Sequence, residues 1–212
     1  MPRLRLALAA LALGSARAAL AAEGDVHLIC PLVLAQQRID VEEQRTEIAL
    51  AEARLVAAER ILGLVQRLHE NDAIERIAYL AAKHDRDVAE VDLTRQRLIA
   101  KREQATLVQY ETVCLPAGDG ETERERAARR EQAQRTFLQV ECHRVGKDLA
   151  IAELDLAYFR ELLDSARNLR ANAAASVQDI IHAERDVEAA RIRVEHHRLR
   201  VDRCIASGEA AG

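Results

Sequence analysis

The feature that most constrains this fold is a run of apolar residues seven positions apart with almost no helix-breaking residue between them. The first run consists of Leu34, Val41, Ile48, Leu55 and Leu62. An apolar residue at every seventh position marks one side of a helix that supercoils with a neighbour. Three further segments repeat apolar residues at steps of three, four or seven, so the sequence predicts four long helices and an all-α fold.

The composition narrows the function classes. Aromatic residues make up 2% of the 212 residues, charged residues 31%, and there is no tryptophan. So few aromatic residues favour narrow packing seams over the broad core of a globular enzyme. The net charge of -4 provides no basic stripe for nucleic acid. We therefore expect no catalytic residues, no cofactor, no small-molecule substrate and no nucleic-acid partner.

Capping and turn signals divide the chain. Capping boxes beginning at Asp72, Thr122 and Ser176 predict the first turns of the second, third and fourth helices. We call the regularly spaced apolar residues that face a neighbouring helix the seam of a helix. In the third helix we expect the seam to begin only at Cys142. The predicted elements are a helical hairpin at 30–114 with its turn near 71–72, a linker at 115–121, a second hairpin at 122–206 with its turn near 170–175, and a disordered tail at 207–212.

The four cysteines allow three pairings, and their positions favour one of them. Cys30 and Cys114 are equally far from the turn at Asp72, and Cys142 and Cys204 are equally far from residue 173. Residues equidistant from the turn of an antiparallel hairpin lie side by side. We therefore expect disulfides between Cys30 and Cys114 and between Cys142 and Cys204, one in each hairpin. Cys114 falls outside the seam of its helix, so this pairing requires the helix to end there.

The N-terminal segment predicts export. Two arginines, an apolar run from Leu6 to Leu13 and small residues before Ala21 form a signal-peptide pattern at residues 1–21. Residues 22–29 are expected to be an extended lead-in, and Cys30-Pro31 to open the first helix. No other segment is apolar enough to span a membrane. The expected location is the periplasm, an oxidising compartment where cysteines pair.

One cluster could suggest a metal site: Cys142 and His143 lie near His196, His197 and Cys204 in the predicted hairpin. However, His197 and Cys204 are about 10 Å apart along a helix, too far to share an ion. His84 and His197 occupy seam positions, where a histidine usually forms a polar layer. We therefore predict no metal site.

The small-residue turn of the second hairpin is followed by a pattern of seven residues: Ser176, Asp179, Ile180, Ala183, Asp186, Val187 and Ala190. With these residues the second turn resembles the helix-turn-helix tip of TolC-type outer-membrane efflux proteins. The first hairpin is similar both to that tip and to the α-hairpin of the periplasmic adaptor proteins that dock on it. The resemblance covers the hairpins only, because the chain shows neither barrel strands nor lipoyl-domain strands. It implies an efflux or secretion assembly and association with the outer membrane.

The sequence thus predicts an exported coiled-coil protein that acts as an interaction or structural module. Its expected partners are helices of envelope proteins, or further copies of itself. The residues expected to make the contact lie in the two turns and are Asn71, Asp72, Asn172, Ser176 and Asp179. Helix capping alone would also explain Asp72, Ser176 and Asp179. The alternative function is a self-assembling spacer of the cell envelope with no transport role.

Overall fold

The structure is a computed structural model that describes residues 23–118, 120–172 and 174–209. The helices are α1 (Glu23–Glu70), α2 (Arg76–Cys114), α3 (Glu123–Ala171) and α4 (Val177–Glu209). No strand occurs in these ranges, so the all-α prediction is confirmed. At 1.5 Å per residue, α1 and α3 are each about 70 Å long. The predicted signal peptide at 1–21 lies outside the described residues.

The four helices form an open layer. Each helix packs against the next one in the chain, and α1 and α4, as far as they are described, share no extensive contact. Since consecutive helices are antiparallel, α2 and α3 are interior members and α1 and α4 are the edges. The two predicted hairpins therefore pack on each other, through α2 and α3.

Both predicted disulfides are confirmed. Cys30 is bonded to Cys114 with the two Cα atoms 5.2 Å apart, and Cys142 is bonded to Cys204 at 5.5 Å. Cys114 is the last residue of α2, and Leu115 after it is extended. The end of the helix thus brings Cys114 to Cys30 although it lies outside the seam. The second bridge joins the end of α4 to a point well inside α3, whose first turns pack on α2 alone.

The outer ends of α1 and α4 are longer than predicted. The backbone is helical from Glu23, so the extended lead-in is wrong, and Pro31 lies inside the helix. Pro31 is exposed, but inside a helix its ring removes one backbone hydrogen bond and crowds the carbonyl four residues earlier. At the other end α4 continues to Glu209, so residues 207–209 are helical rather than disordered. A single glycine costs roughly 1 kcal/mol in a helix, too little to end α4 so close to the Cys204 disulfide.

Two arginines of α3 hold its junction with α2, Arg126 and Arg130, both of which donate to the carbonyl of Thr112. Arg126 Nε donates to the carbonyl of Thr112 at 2.7 Å, and its Nη2 donates to the carbonyl of Leu115. A guanidinium at this place satisfies terminal carbonyls and complements the negative end of the helix dipole. The capping box predicted at Thr122 is present, with the Glu125 side chain returning to the Thr122 amide. These contacts fold α3 back along α2.

The interior helices bury side chains on more than one face. The sequence predicts a seam for α2 at every seventh position, namely Ile77, His84, Val91, Leu98 and Ala105. This seam is only partly buried, because Ala105 is buried while Ile77 is 37% exposed. In α3 the buried residues begin at Ala133 and Val140, earlier than the predicted start at Cys142. Each interior helix contacts two neighbours, and one seven-residue repeat describes only one of the two contacts. Between α3 and α4 the core consists of Ala152, Leu156, Ala190 and Val194.

Candidate contact surface at the hairpin tips

The first tip, residues 71–75, is a tight C-terminal cap of α1. The Asp72 amide donates to the carbonyl of His69 at 3.0 Å, and the Ala73 amide donates to the carbonyl of Leu68 at 2.8 Å. These two bonds define a Schellman motif, which places its C′ residue in the left-handed region. That residue is Asp72, with a φ of 55°. The Asn71 side chain adds a bond from Nδ2 to the carbonyl of Arg67 at 2.6 Å.

The capping box predicted at Asp72 is therefore wrong. Helix α2 begins at Arg76 after Glu75, whose side chain makes no capping hydrogen bond. Asp72 ends α1 instead, because closing the Schellman motif needs a residue that tolerates positive φ, and aspartate is among the few that do.

Replacing Asp72 with glycine is expected to raise the free energy of unfolding by about 0.5–1 kcal/mol, because glycine adopts the left-handed conformation without strain. Urea unfolding followed by circular dichroism measures the change. The matched control is Glu75→Gly in the same tip, where φ is -68° and no gain is expected. An equal or larger gain for Glu75→Gly would contradict this account of the tip.

The second tip, described at residues 172 and 174–176, shares the bond that closes the first cap and adds a box. The Ala174 amide donates to the carbonyl of Leu169 at 2.8 Å, and Asn172 Nδ2 donates to the carbonyl of Asn168 at 3.2 Å. The predicted box at Ser176 is present: the Asp179 amide donates to Ser176 Oγ at 3.1 Å, and the Ser176 amide donates to Asp179 Oδ2 at 2.8 Å. The bond from the Ser176 amide, together with that from its hydroxyl, lowers the pKa of Asp179.

The two tips are equivalent position by position. Leu68, Asn71 and Ala73 each correspond to the same residue type 101 positions later, as Asn71 does to Asn172. The last residues of α1 and α3, Glu70 and Ala171, are also 101 positions apart, as are the first residues of α2 and α4. The repeated triplets Arg86-Asp87-Val88 and Arg185-Asp186-Val187 are 99 positions apart and so fall outside this equivalence.

Both tips lie at the same end of the layer. His84 of α2 contacts Asp155 of α3, with His84 Nε2 3.0 Å from Asp155 Oδ1. From that level the first tip begins about nine residues away along α2, and the second begins about 17 residues away along α3. At 1.5 Å per residue the second tip projects beyond the first by about 12 Å when counted from the His84–Asp155 contact and by about 6 Å when counted from the contact of Arg95 with Asp148.

The structure brings the five predicted contact residues to one end of the molecule, and all five are exposed. Sequence reasoning missed the apolar side chains beside them. Leu68 is 38% and Ile77 37% exposed at the first tip, and Leu169 is 41% and Val177 55% exposed at the second. Each tip thus combines a polar turn with apolar flanks, a composition suited to contact with another protein. Three of these side chains, Leu68, Leu169 and Val177, lie at helix ends outside the seven-residue repeats, whereas Ile77 belongs to the repeat of α2 and is nevertheless exposed.

The middle of the layer is held together by a polar cluster around Asp148. The Asp148 carboxylate lies 2.7 Å from Arg95 Nε, 3.0 Å from Arg144 Nη1 and 3.5 Å from Arg200 Nη1. These three arginines belong to α2, α3 and α4 respectively. The side chains of Asp148 and Arg144 are only 12% and 11% exposed. One carboxylate therefore sets the register of three helices.

A neighbouring carboxylate extends this cluster. Glu141 accepts hydrogen bonds from Arg144 and Arg102. Burial opposes its ionisation, but the hydrogen bonds and charges of the two arginines outweigh burial and lower the pKa of Glu141. The arrangement is that of a structural ion-pair network, because the charged groups are engaged with one another.

The seam histidines lie in packed positions. His84 stacks on Tyr158 with the ring centroids 4.4 Å apart, and burial lowers the pKa of His197. Cys142 and Cys204 are joined to each other, so their sulfur atoms are not available as thiolate ligands. Among the described residues, no group of three or more histidine, cysteine, aspartate or glutamate side chains is placed to hold a metal ion.

No protein-family model matches this chain, and no curated protein or solved structure is significantly similar to it. Over the described residues, none of the four helices combines the length and the apolar character needed to cross a membrane. The fold itself defines the class of the protein: an antiparallel helical-hairpin protein with one disulfide in each hairpin.

Proposed function

We propose that this chain is an exported coiled-coil protein that works as an interaction module of the cell envelope. In this proposal its two tips contact helices of a partner protein. The paired cysteines support an oxidising location, since disulfides persist in the periplasm and other oxidising compartments. The long helices act as a rigid support that holds the tips away from the rest of the molecule.

The observation that carries the proposal is the repetition of one tip structure at one end of the layer. Two turns related by 101 positions use the same Leu, Asn and Ala residues and the same backbone bond closing the cap. The up-and-down order of the four helices already places both turns at one end, but a cap does not require that each turn carries exposed apolar flanks. Apolar flanks repeated at both turns are expected of a surface that meets another protein.

The resemblance of the second tip to TolC-type efflux proteins supports the finer part of the proposal. Ser176 and Asp179 occupy positions of that pattern and form the box that begins α4. We place the module in an efflux or secretion assembly at the outer membrane, with Asn71, Asp72, Asn172, Ser176 and Asp179 in the contact.

Site-specific photocrosslinking in the cell envelope tests the proposal. A photoreactive residue replaces Asn71 or Asn172 in the tips, and replaces Glu90 in the middle of α2 as a matched exposed control. We expect adducts with the same envelope protein from both tip positions and no such adduct from Glu90. An adduct with a TolC-like or adaptor protein, identified by mass spectrometry, would support the finer assignment.

A second variant tests whether the second tip itself, and not another part of the surface, makes the contact. Three residues inserted after Ala174 lengthen the second turn while leaving α3 and α4 intact, which circular dichroism checks. The Asn172 adduct is expected to fall sharply and the Asn71 adduct less so. Equal adducts at tips and control, or adducts indifferent to the insertion, would refute tip recognition and favour the alternative of a structural spacer.

A further inference from the structure

Helix α1 carries a second row of apolar side chains, on the side facing away from α2. We call it the outer row. Its members and their exposures are Leu32 73%, Ile39 53%, Leu50 44%, Ile61 55%, Leu64 52% and Leu68 38%. At 3.6 residues per turn all six fall within an arc of about 60°, centred roughly 160° from the buried residues of α1. Because α1 is an edge of the layer, no described helix covers the outer row.

Five of the six members of the outer row are placed symmetrically about Leu50. Ile39 and Ile61 are each 11 residues from Leu50, and Leu32 and Leu68 are each 18 residues from it. If two copies of α1 pack antiparallel around a two-fold axis at Leu50, these five residues each meet an apolar residue, whereas Leu64 lies opposite Gln36. A two-fold contact must be self-complementary in this way, whereas a row made for an unrelated helix has no reason to be symmetric.

The charges beside the outer row follow the same symmetry. Glu42 and Arg60 flank it on one side, eight residues before and ten residues after Leu50. Glu47 and Arg54 flank it on the other side, three residues before and four after. All four side chains are exposed. In the antiparallel pair each glutamate faces the arginine of the other copy, whereas a parallel pair would place like charges together.

The one acidic side chain within the row also fits this register. Glu43 lies seven residues before Leu50, opposite Ala57 of the second copy. The small alanine leaves space for it, and Arg54 of the second copy lies one turn away. Glu43 would therefore be paired rather than buried against an apolar residue, which matters because an unpaired charge in such a contact is costly.

We propose that the outer row of α1 is a homodimer interface in which two copies pack antiparallel around Leu50. The contact from Leu32 to Leu68 is about 54 Å long. It runs along the side of α1, shares only Leu68 with the first tip, and does not depend on the proposed function. Its consequence is that the two copies point their tips in opposite directions, with the first tips about 65 Å apart.

Cysteine crosslinking tests both the contact and its direction. All four native cysteines are in disulfides, so an introduced cysteine is the only free thiol. In a mixture of Ile39→Cys and Ile61→Cys chains we expect a disulfide-linked dimer that joins one variant to the other. Neither variant alone should crosslink, whereas Leu50→Cys alone should crosslink with itself.

Sedimentation equilibrium measures the strength of the contact. Leu50→Glu places two carboxylates at the two-fold axis, and we expect the dimer dissociation constant to rise on the order of 100-fold or more. The matched control is Leu199→Glu on α4, where the leucine is 66% exposed and no change is expected. Glu47→Arg should weaken the dimer, and adding Arg54→Glu to it should restore the dimer.

Three results would overturn the proposal. The first is a monomeric wild-type protein at concentrations of about 100 µM, well above the micromolar range of a modest interface. The second is efficient crosslinking of Ile39→Cys with itself, which would indicate a parallel pair. The third is an equal loss of dimer from Leu199→Glu and Leu50→Glu. Circular dichroism of each variant confirms that the helices remain folded, since every substituted side chain is exposed.

Discussion

Replacing Cys30 and Cys114 with serine is expected to lower the free energy of unfolding by about 4 kcal/mol, because the bridge closes a loop whose ends are 84 residues apart in the chain. The bridge removes conformations from the unfolded chain, so its loss stabilises the unfolded state. Urea unfolding of the double variant and of the wild-type protein, both followed by circular dichroism, gives the difference.

The second bridge is the matched comparison. It spans 62 residues, and because the effect grows only with the logarithm of the loop length, Cys142→Ser with Cys204→Ser should also cost about 4 kcal/mol. Reduction of the wild-type protein should reproduce both losses together. A loss below about 1 kcal/mol for either pair would show that the unfolded chain is already restricted without the bridge.

Replacing Asp148 with leucine is expected to destabilise the protein by roughly 2–3 kcal/mol, because the largely buried Arg144 loses one of its two carboxylate partners and keeps only Glu141. Arg95 and Arg200 also lose their shared partner, although each is about one third exposed. The free energy of unfolding of Asp148→Asn should lie between those of Asp148→Leu and the wild type, since the amide oxygen still accepts a hydrogen bond. Urea unfolding measures all three.

The matched control for Asp148 lies on the same helix. Glu153 pairs with Arg198 at 3.1 Å, with both side chains about half exposed. Glu153→Leu should cost less than about 1 kcal/mol, because exposed ion pairs contribute little. If Glu153→Leu and Asp148→Leu lower the free energy of unfolding by the same amount, burial does not explain the contribution of the Asp148 cluster to stability.

Much of the fold could be predicted because local signals and chain symmetry agree. The boxes at Thr122 and Ser176 begin helices where expected, and the positions of the four cysteines relative to the turns identify both bridges. Asp72 shows where this reasoning fails. The residues Asp-x-x-Glu satisfy the pattern of a capping box, but aspartate also tolerates positive φ. In the structure Asp72 closes the Schellman motif at the end of α1 and does not cap α2.

The candidate site was predictable only in part. The turn residues follow from the boundaries of the helices, so Asn71 and Asn172 could be placed at the tips. The Asp148 cluster could not, because its charged residues look like any exposed helix face until α2, α3 and α4 are brought together. The outer row of α1 was hidden for a related reason: the stronger seven-residue repeat of the inner seam dominates the pattern of the same helix.

The unequal reach of the tips has a consequence for any partner. A flat surface approaching along the helix axes would touch the second tip while the first remained about 6–12 Å away. To contact both tips, the partner must have two contact areas whose heights differ by the same distance. The shape of the partner's surface, and not only its chemistry, would then decide whether it contacts one tip or both.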